Sequence, residues 1–140
     1  MKRLLGLIAV AATAACGGSS TSPSITTPAA TVTTETFTGV VQVGSQKVHT
    51  FTVTTPGTVT VTMTAAGPPP TITMGLALGN PDASGNCVFL TGGVNNAAVA
   101  STTTPQLSGT LGASGAYCVE IADVGNAAGP ITYSISVSHT

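Results

Sequence analysis

Thr58-Val-Thr-Val-Thr-Met-Thr64 and Ile131-Thr-Tyr-Ser-Ile-Ser-Val-Ser138 decide the fold class of this chain. Val59, Val61 and Met63 recur at every second position of the first stretch, and Ile131, Tyr133, Ile135 and Val137 do so in the second, with Thr and Ser between them. A period of two sends alternate side chains to opposite faces of an extended backbone. Each stretch therefore reads as a strand with one face in a core and the other in water. The many β-branched residues favour the same conformation, because their stiff side chains pack well on a pleated surface.

Working outward, the same alternation in shorter form predicts strands over Thr36–Val43, Lys47–Thr54, Thr71–Leu78, Cys87–Leu90, Gln106–Leu111 and Ala116–Asp123. Turn chemistry separates them: Gly44-Ser45, Pro56-Gly57, Gly67-Pro68-Pro69-Pro70, Gly79-Asn80-Pro81-Asp82, Gly92-Gly93, Gly112 with Gly115, and Gly125 to Pro130. No segment has a helical period and no internal repeat is present. About eight short strands with frequent turns predict an all-β fold, a two-sheet antiparallel β-sandwich of jelly-roll-like topology.

The amino terminus has a different character. Lys2 and Arg3 precede an apolar run from Leu4 to Val10, followed by small residues to Ala15, the three parts of a secretory signal. The run is far shorter than the roughly 20 residues that cross a bilayer, which favours export over a permanent transmembrane helix. Thr13-Ala14-Ala15-Cys16-Gly17 resembles the bacterial lipobox, with Thr13 where that family usually carries Leu, Val or Ile. The resemblance implies cleavage before Cys16, diacylation of its thiol and anchoring to a membrane. The alternative is ordinary cleavage after an Ala-x-Ala-like site, leaving Cys16 as a free thiol. Two or more acyl chains on one residue meet the requirement that stable anchoring takes more than one lipid signal. Residues 17–34, rich in Ser, Thr, Pro and Gly and without charge, cannot bury enough apolar surface to order themselves and are expected to form a flexible tether. The expected organisation is a signal peptide over 1–15, a lipidated Cys16 with its tether over 16–34, and a β-sandwich over 35–140.

The series Phe37-Thr-Gly-Val, His49-Thr-Phe51-Thr-Val53, Gly57-Thr-Val59-Thr-Val61-Thr-Met63, Leu107-Ser-Gly-Thr-Leu111, Gly115-Ala-Tyr117-Cys-Val119-Glu-Ile121 and Tyr133-Ser-Ile-Ser-Val137 resembles the bacterial pre-peptidase C-terminal domain. The resemblance spans everything after the tether. It implies a jelly-roll-like accessory domain of the kind usually appended to secreted hydrolases, although no hydrolase accompanies it in this chain.

Only 5% of the residues are charged. Beyond the signal, Lys47 stands alone against Glu35, Asp82, Glu120 and Asp123, so no basic patch for nucleic-acid phosphates can be assembled. Cys87 and Cys118 form an even pair in an exported domain, which predicts a disulfide. If Tyr117, Val119 and Ile121 face inward, Cys118 and Glu120 face outward. If Val88 and Leu90 also face inward, Cys87 faces outward and the bridge lies outside the core. A redox-active pair is the alternative, but no Cys-x-x-Cys and no cationic neighbour supports it.

Asn80, Asp82 and Ser84 place oxygen-bearing side chains at alternate positions before Gly85, loosely as a calcium loop begins. With one carboxylate, and Thr91 where a bidentate Glu would close such a loop, the cofactor expectation is none or weakly bound calcium, and a hairpin turn is the plainer reading. His49 and His139 lack a carboxylate or Cys at metal-ligand spacing. Gly112-Ala-Ser114-Gly115 brings its second glycine one residue too early for a nucleophile elbow. Glu120 and Asp123, three apart in a strand, fall on opposite faces and do not make a glycosidase pair.

With no Trp, two Tyr and three Phe, the chain has few rings for sugar stacking. Phe89 is the first choice for a ligand contact, with a buried Phe89 as the alternative. These residues point to a non-enzymatic lipoprotein of the cell envelope, on the outer membrane or cell surface. Its partners are expected to be the membrane, through Cys16, and an envelope protein or polysaccharide. A carbohydrate- or calcium-binding module is the second expectation, favoured by any groove lined with Phe89 and the 80–85 loop, and a hydrolase is the third.

Overall fold

The computed structural model describes residues 29–91 and 95–140. The expected signal peptide, the expected acylation at Cys16, most of the expected tether, and the turn expected at Gly92-Gly93 all fall outside the described residues. Nine strands follow one another: β1 (Thr33–Val41), β2 (Gln46–Val53), β3 (Gly57–Gly67), β4 (Thr73–Pro81), β5 (Cys87–Phe89), β6 (Asn95–Val99), β7 (Leu107–Leu111), β8 (Gly115–Asp123) and β9 (Ile131–His139). All pair antiparallel, in a four-stranded sheet of order β1-β9-β3-β7 and a five-stranded sheet of order β2-β8-β4-β5 in which β6 also pairs with β4. Consecutive strands alternate between the sheets at β1/β2, β2/β3, β3/β4 and β7/β8/β9, which is the jelly-roll order.

The alternation seen in the sequence supplies the core. Val59, Val61 and Met63 of β3, Ile131, Tyr133, Ile135 and Val137 of β9, Met74, Leu76 and Leu78 of β4, and Tyr117, Val119 and Ile121 of β8 are buried together between the sheets. Both tyrosines therefore sit in the core, as their parity predicts.

Three features depart from the sequence reading. β1 begins at Thr33, inside the stretch read as tether, because Thr33 to Val41 pair in unbroken register with His139 to Ile131. β6 was not anticipated. Asn95-Asn-Ala-Ala-Val99 has neither alternation nor β propensity, and it becomes a strand because β4 offers Thr73 to Ala77 as an unpaired edge. The third departure is β5, where Val88 is 58% exposed and the condition of an inward Val88 is not met. β5 pairs with β4 over Gly79 to Pro81 only, at the end of the sheet, where a regular inward face no longer exists.

One local device joins the layers and a second completes a sheet edge. Gly39 of β1 lies opposite Tyr133, and a Cβ there would stand 2.6 Å from the tyrosine oxygen. The glycine thus leaves room for the ring to lie across β1, where its hydroxyl meets Nε2 of His49 in the other sheet at 2.7 Å. Along β3, β7 pairs only as far as Val61; beyond it the Gln106 side-chain oxygen accepts from Met63 N and Ser101 N donates to Met63 O, completing the edge that β7 leaves.

Candidate functional site

The outward face of the five-stranded sheet is floored by small residues. Gly75 and Ala77 of β4 face Ala122 and Glu120 of β8 across the ladder, and Ala97 of β6 borders them. Where the opposite face carries Met, Leu and Ile, this floor carries almost no side-chain volume, and the result is a depression of about 300 Å³. Phe89 and Val124 stand at its rim, each about half exposed (48% and 49%), while Asn96 and Glu120 supply its polar groups. A mostly apolar concavity with a few placed polar groups is the usual form of a small-ligand site.

Glu120 is 7% exposed, an unusual position for a carboxylate. Its Oε2 accepts a hydrogen bond from Gln46 Nε2 at 3.2 Å, and among the described residues no donor reaches Oε1. Neither β4 nor β6 carries a charged residue. On β2, Lys47 and His49 alternate away from the face of Gln46 and Val48, and His49 is engaged with Tyr133. Desolvation by burial accordingly pushes the Glu120 carboxyl above its ordinary value.

The disulfide between Cys87 and Cys118 forms, with Cα atoms 5.8 Å apart. It joins β5 to β8 across the intervening β4, passing over Gly79, where a Cβ would stand 2.9 Å from Cys87 Sγ and 2.3 Å from the Val88 carbonyl oxygen. Neither cysteine belongs to the inter-sheet core; parity predicts this for Cys118, whereas for Cys87 the premise of an inward Val88 fails, and Cys118 is fully buried (0% exposed) and Cys87 nearly so (8%). Outward in parity is therefore not exposed: β5 folds down over β4 and covers the bridge. By tying β5 to β8, the bridge also holds Phe89 beside the cavity.

The 80–85 loop does not line the depression. Asp82 closes its own hairpin instead: Oδ1 accepts from Ser84 N and Asn86 N at 2.8 Å each, and Oδ2 from Asn86 Nδ2 at 3.0 Å. These donors hold the Asp82 carboxyl below its ordinary value, led by the Asn86 side chain. Asn80 is turned to β8, donating to Ala116 O. Asp123 serves the same purpose at another turn, accepting from Gly44 N at 2.8 Å and from the amides of residues 125–127, Gly44 being the chief cause of its lowered pKa. Ser114 sits in the exposed turn between β7 and β8.

The histidines have partners that linear spacing did not reveal. His139, 4% exposed, meets Glu35 across the β1–β9 ladder (Nε2–Oε1 3.1 Å), and its Nδ1 is buried without a hydrogen-bond partner. His49 stacks on Phe37 at 4.8 Å between ring centroids and is held neutral-leaning, its pKa lowered first by burial and then by Lys47.

Of the residues singled out in the sequence, the fold thus brings Phe89 and Glu120 to one cavity and leaves Asn80, Asp82 and Ser84 in a separate turn. The contribution of Gly75, Ala77, Ala97 and Ala122 was missed. Its only sequence signal is small residues at alternate positions, Gly75-Leu-Ala77-Leu-Gly79, where outward threonines prevail elsewhere. No family model and no curated protein matches this chain.

Proposed function

We propose that this chain is a lipoprotein of the bacterial cell envelope, anchored through acylated Cys16, whose jelly-roll domain works by contact and not by catalysis. The observation that carries this reading is the outer face of the five-stranded sheet, where half-exposed Phe89 and Val124 border an apolar depression. Exposed apolar clusters of this kind mark surfaces that meet another molecule. Glu120 stands in the depression with no His, Cys or second carboxylate among the lining residues, an arrangement suited to recognition more than to acid–base chemistry. The jelly-roll order supports the resemblance to the pre-peptidase C-terminal domain and hence an accessory role. A tether of under 20 residues spans roughly 20–25 Å as a coil, enough to lift the domain clear of lipid headgroups.

A ligand-binding module is the second reading, favoured by the concavity beneath Phe89. The test is retention. Full-length protein immobilised through its lipid should capture envelope protein or polysaccharide at both low and high salt, since so few charges are available to screen, and Phe89→Ala should lose that capture. Turnover of an envelope substrate that disappears on substitution of His49, His139 or Glu120 would overturn the non-catalytic reading.

A further inference from the structure

We infer that the cavity between Phe89 and Glu120 is a binding site for a small organic amine, its ammonium group meeting the Glu120 carboxylate and its apolar body lying on the Gly75, Ala77 and Ala122 floor. This rests on the reading of the outer sheet face as the working surface of the domain, and it names the chemistry which that surface selects.

Glu120 is a carboxylate without an ion-pair partner among the described residues. Burying an ion without a counter-ion is unfavourable unless its hydrogen-bonding capacity is met. Glu120 is 7% exposed, and one side-chain amide, Gln46 Nε2, is the single donor it receives from the described residues. Aspartates of this chain show the contrast: both carboxylate oxygens of Asp82 accept from Ser84 and Asn86 of its own turn, and both of Asp123 accept from backbone amides, Gly44 N on one and residues 125–127 on the other. Oε1 of Glu120 is therefore an acceptor left for a group from outside.

The walls narrow the class of that group. A metal ion requires several oxygen or nitrogen ligands, and among the described residues no cluster of three His, Cys, Asp or Glu exists. An anion would be repelled by Glu120. Inside the cavity a sugar ring would bring more hydroxyls than Glu120 and Asn96 can meet, so polysaccharide contact belongs to the wider face around Phe89 and not to the cavity. An ammonium on an apolar stem satisfies each feature: a charge-assisted hydrogen bond to Oε1, burial of the stem on the floor, and an aromatic ring, Phe89, in the same lining. A volume of about 300 Å³ is at the small end of ligand pockets and suits a ligand of benzylamine size.

The test uses full-length protein in detergent with benzylamine as probe, and benzyl alcohol and benzoate as neutral and anionic counterparts, read by calorimetry and by amide shifts in NMR spectra. Benzylamine is expected to bind at pH 8 at least about tenfold more tightly than benzyl alcohol, with shifts centred on Ala77, Phe89 and Ala122, and benzoate is expected not to bind. Glu120→Gln should reduce benzylamine affinity to that of the alcohol, and Ala77→Leu, which fills the floor, should abolish binding of both. Equal binding of amine and alcohol, an unaffected Glu120→Gln, or no binding at millimolar concentration would each overturn the inference. The two proposals fail separately. Loss of envelope capture in Phe89→Ala without amine binding leaves the contact function standing and removes the ligand class; amine binding by a protein that captures nothing from the envelope does the reverse.

Discussion

At the scale of single residues, Glu120 and His49 are titratable groups whose environments give opposite dependences on pH. Burial raises the folded-state pKa of Glu120, so the native state holds its proton more tightly than the unfolded chain does. The stability this provides is fully present below the ordinary value of 4.5 and is lost as pH rises through the raised value. At neutral pH the buried carboxylate is therefore a burden. Glu120→Gln should stabilise the protein at pH 7 by about 1 kcal/mol, raising Tm by roughly 4–8 °C, with a smaller gain at pH 4, where the wild-type group is already protonated. A loss of stability on this substitution would show that the charge itself is stabilised beyond its hydrogen bond from Gln46. For His49 the sign reverses. Its folded pKa is lowered by burial and by Lys47, so its contribution is complete above 6.5 and declines as pH falls from there toward the folded value. Thermal melts of His49→Gln against wild type between pH 7 and pH 5 should show a flatter profile for the variant.

At the scale of elements, two glycines permit contacts that any side chain would prevent. Gly79→Ala would place Cβ 2.3 Å from the Val88 carbonyl oxygen, and because that atom is backbone, β5 would have to move as a unit. A loss of about 2–4 kcal/mol is expected, together with displaced Phe89 resonances and slower closure of the Cys87–Cys118 bridge during oxidative refolding. Gly39→Ala meets Tyr133 Oη at 2.6 Å, which is the end of a side chain. It should cost less, about 1–2 kcal/mol, and its signature should be loss of the 2.7 Å Tyr133–His49 contact, visible as a changed His49 titration. A strand's position in its sheet also decides whether it is legible in the sequence. β3 and β9 are central strands with one buried face, so their burial pattern repeats the sequence alternation. β5 and β6 lie successively along one edge of β4, where pairing depends on an available partner and not on their own side chains, so Asn95–Val99 carried no sequence signal.

At the scale of the whole molecule, stability is shared between the core and one covalent tie. The bridge closes a separation of 31 residues and should contribute roughly 3–4 kcal/mol in the chain-entropy model. Reduction is therefore expected to lower Tm by well over 10 °C in a domain of this size, and non-reducing peptide mapping should recover the Cys87 and Cys118 peptides linked. Attachment is checked separately: mass spectrometry of envelope-derived protein should find a chain beginning at acylated Cys16, and Cys16→Ser should release the protein from membranes. An unmodified chain with another first residue would remove the lipoprotein reading.

By itself the sequence determined the all-β class, the inward sets of β3, β8 and β9, and the cysteine pair, because strand parity and an even cysteine count are local properties that survive any arrangement of sheets. Only the tertiary structure decided that Glu120 is buried, that Phe89 is exposed beside it, and that Glu35 reaches His139. Parity gives the face on which a side chain stands, but what covers that face depends on strands brought from elsewhere: β5 and β6 lie along β4, and β9 carries His139 back to β1. The cavity follows from the same cause. Gly75, Ala77 and Ala122 are unremarkable along the chain and become a floor only when β4 and β8 set them side by side.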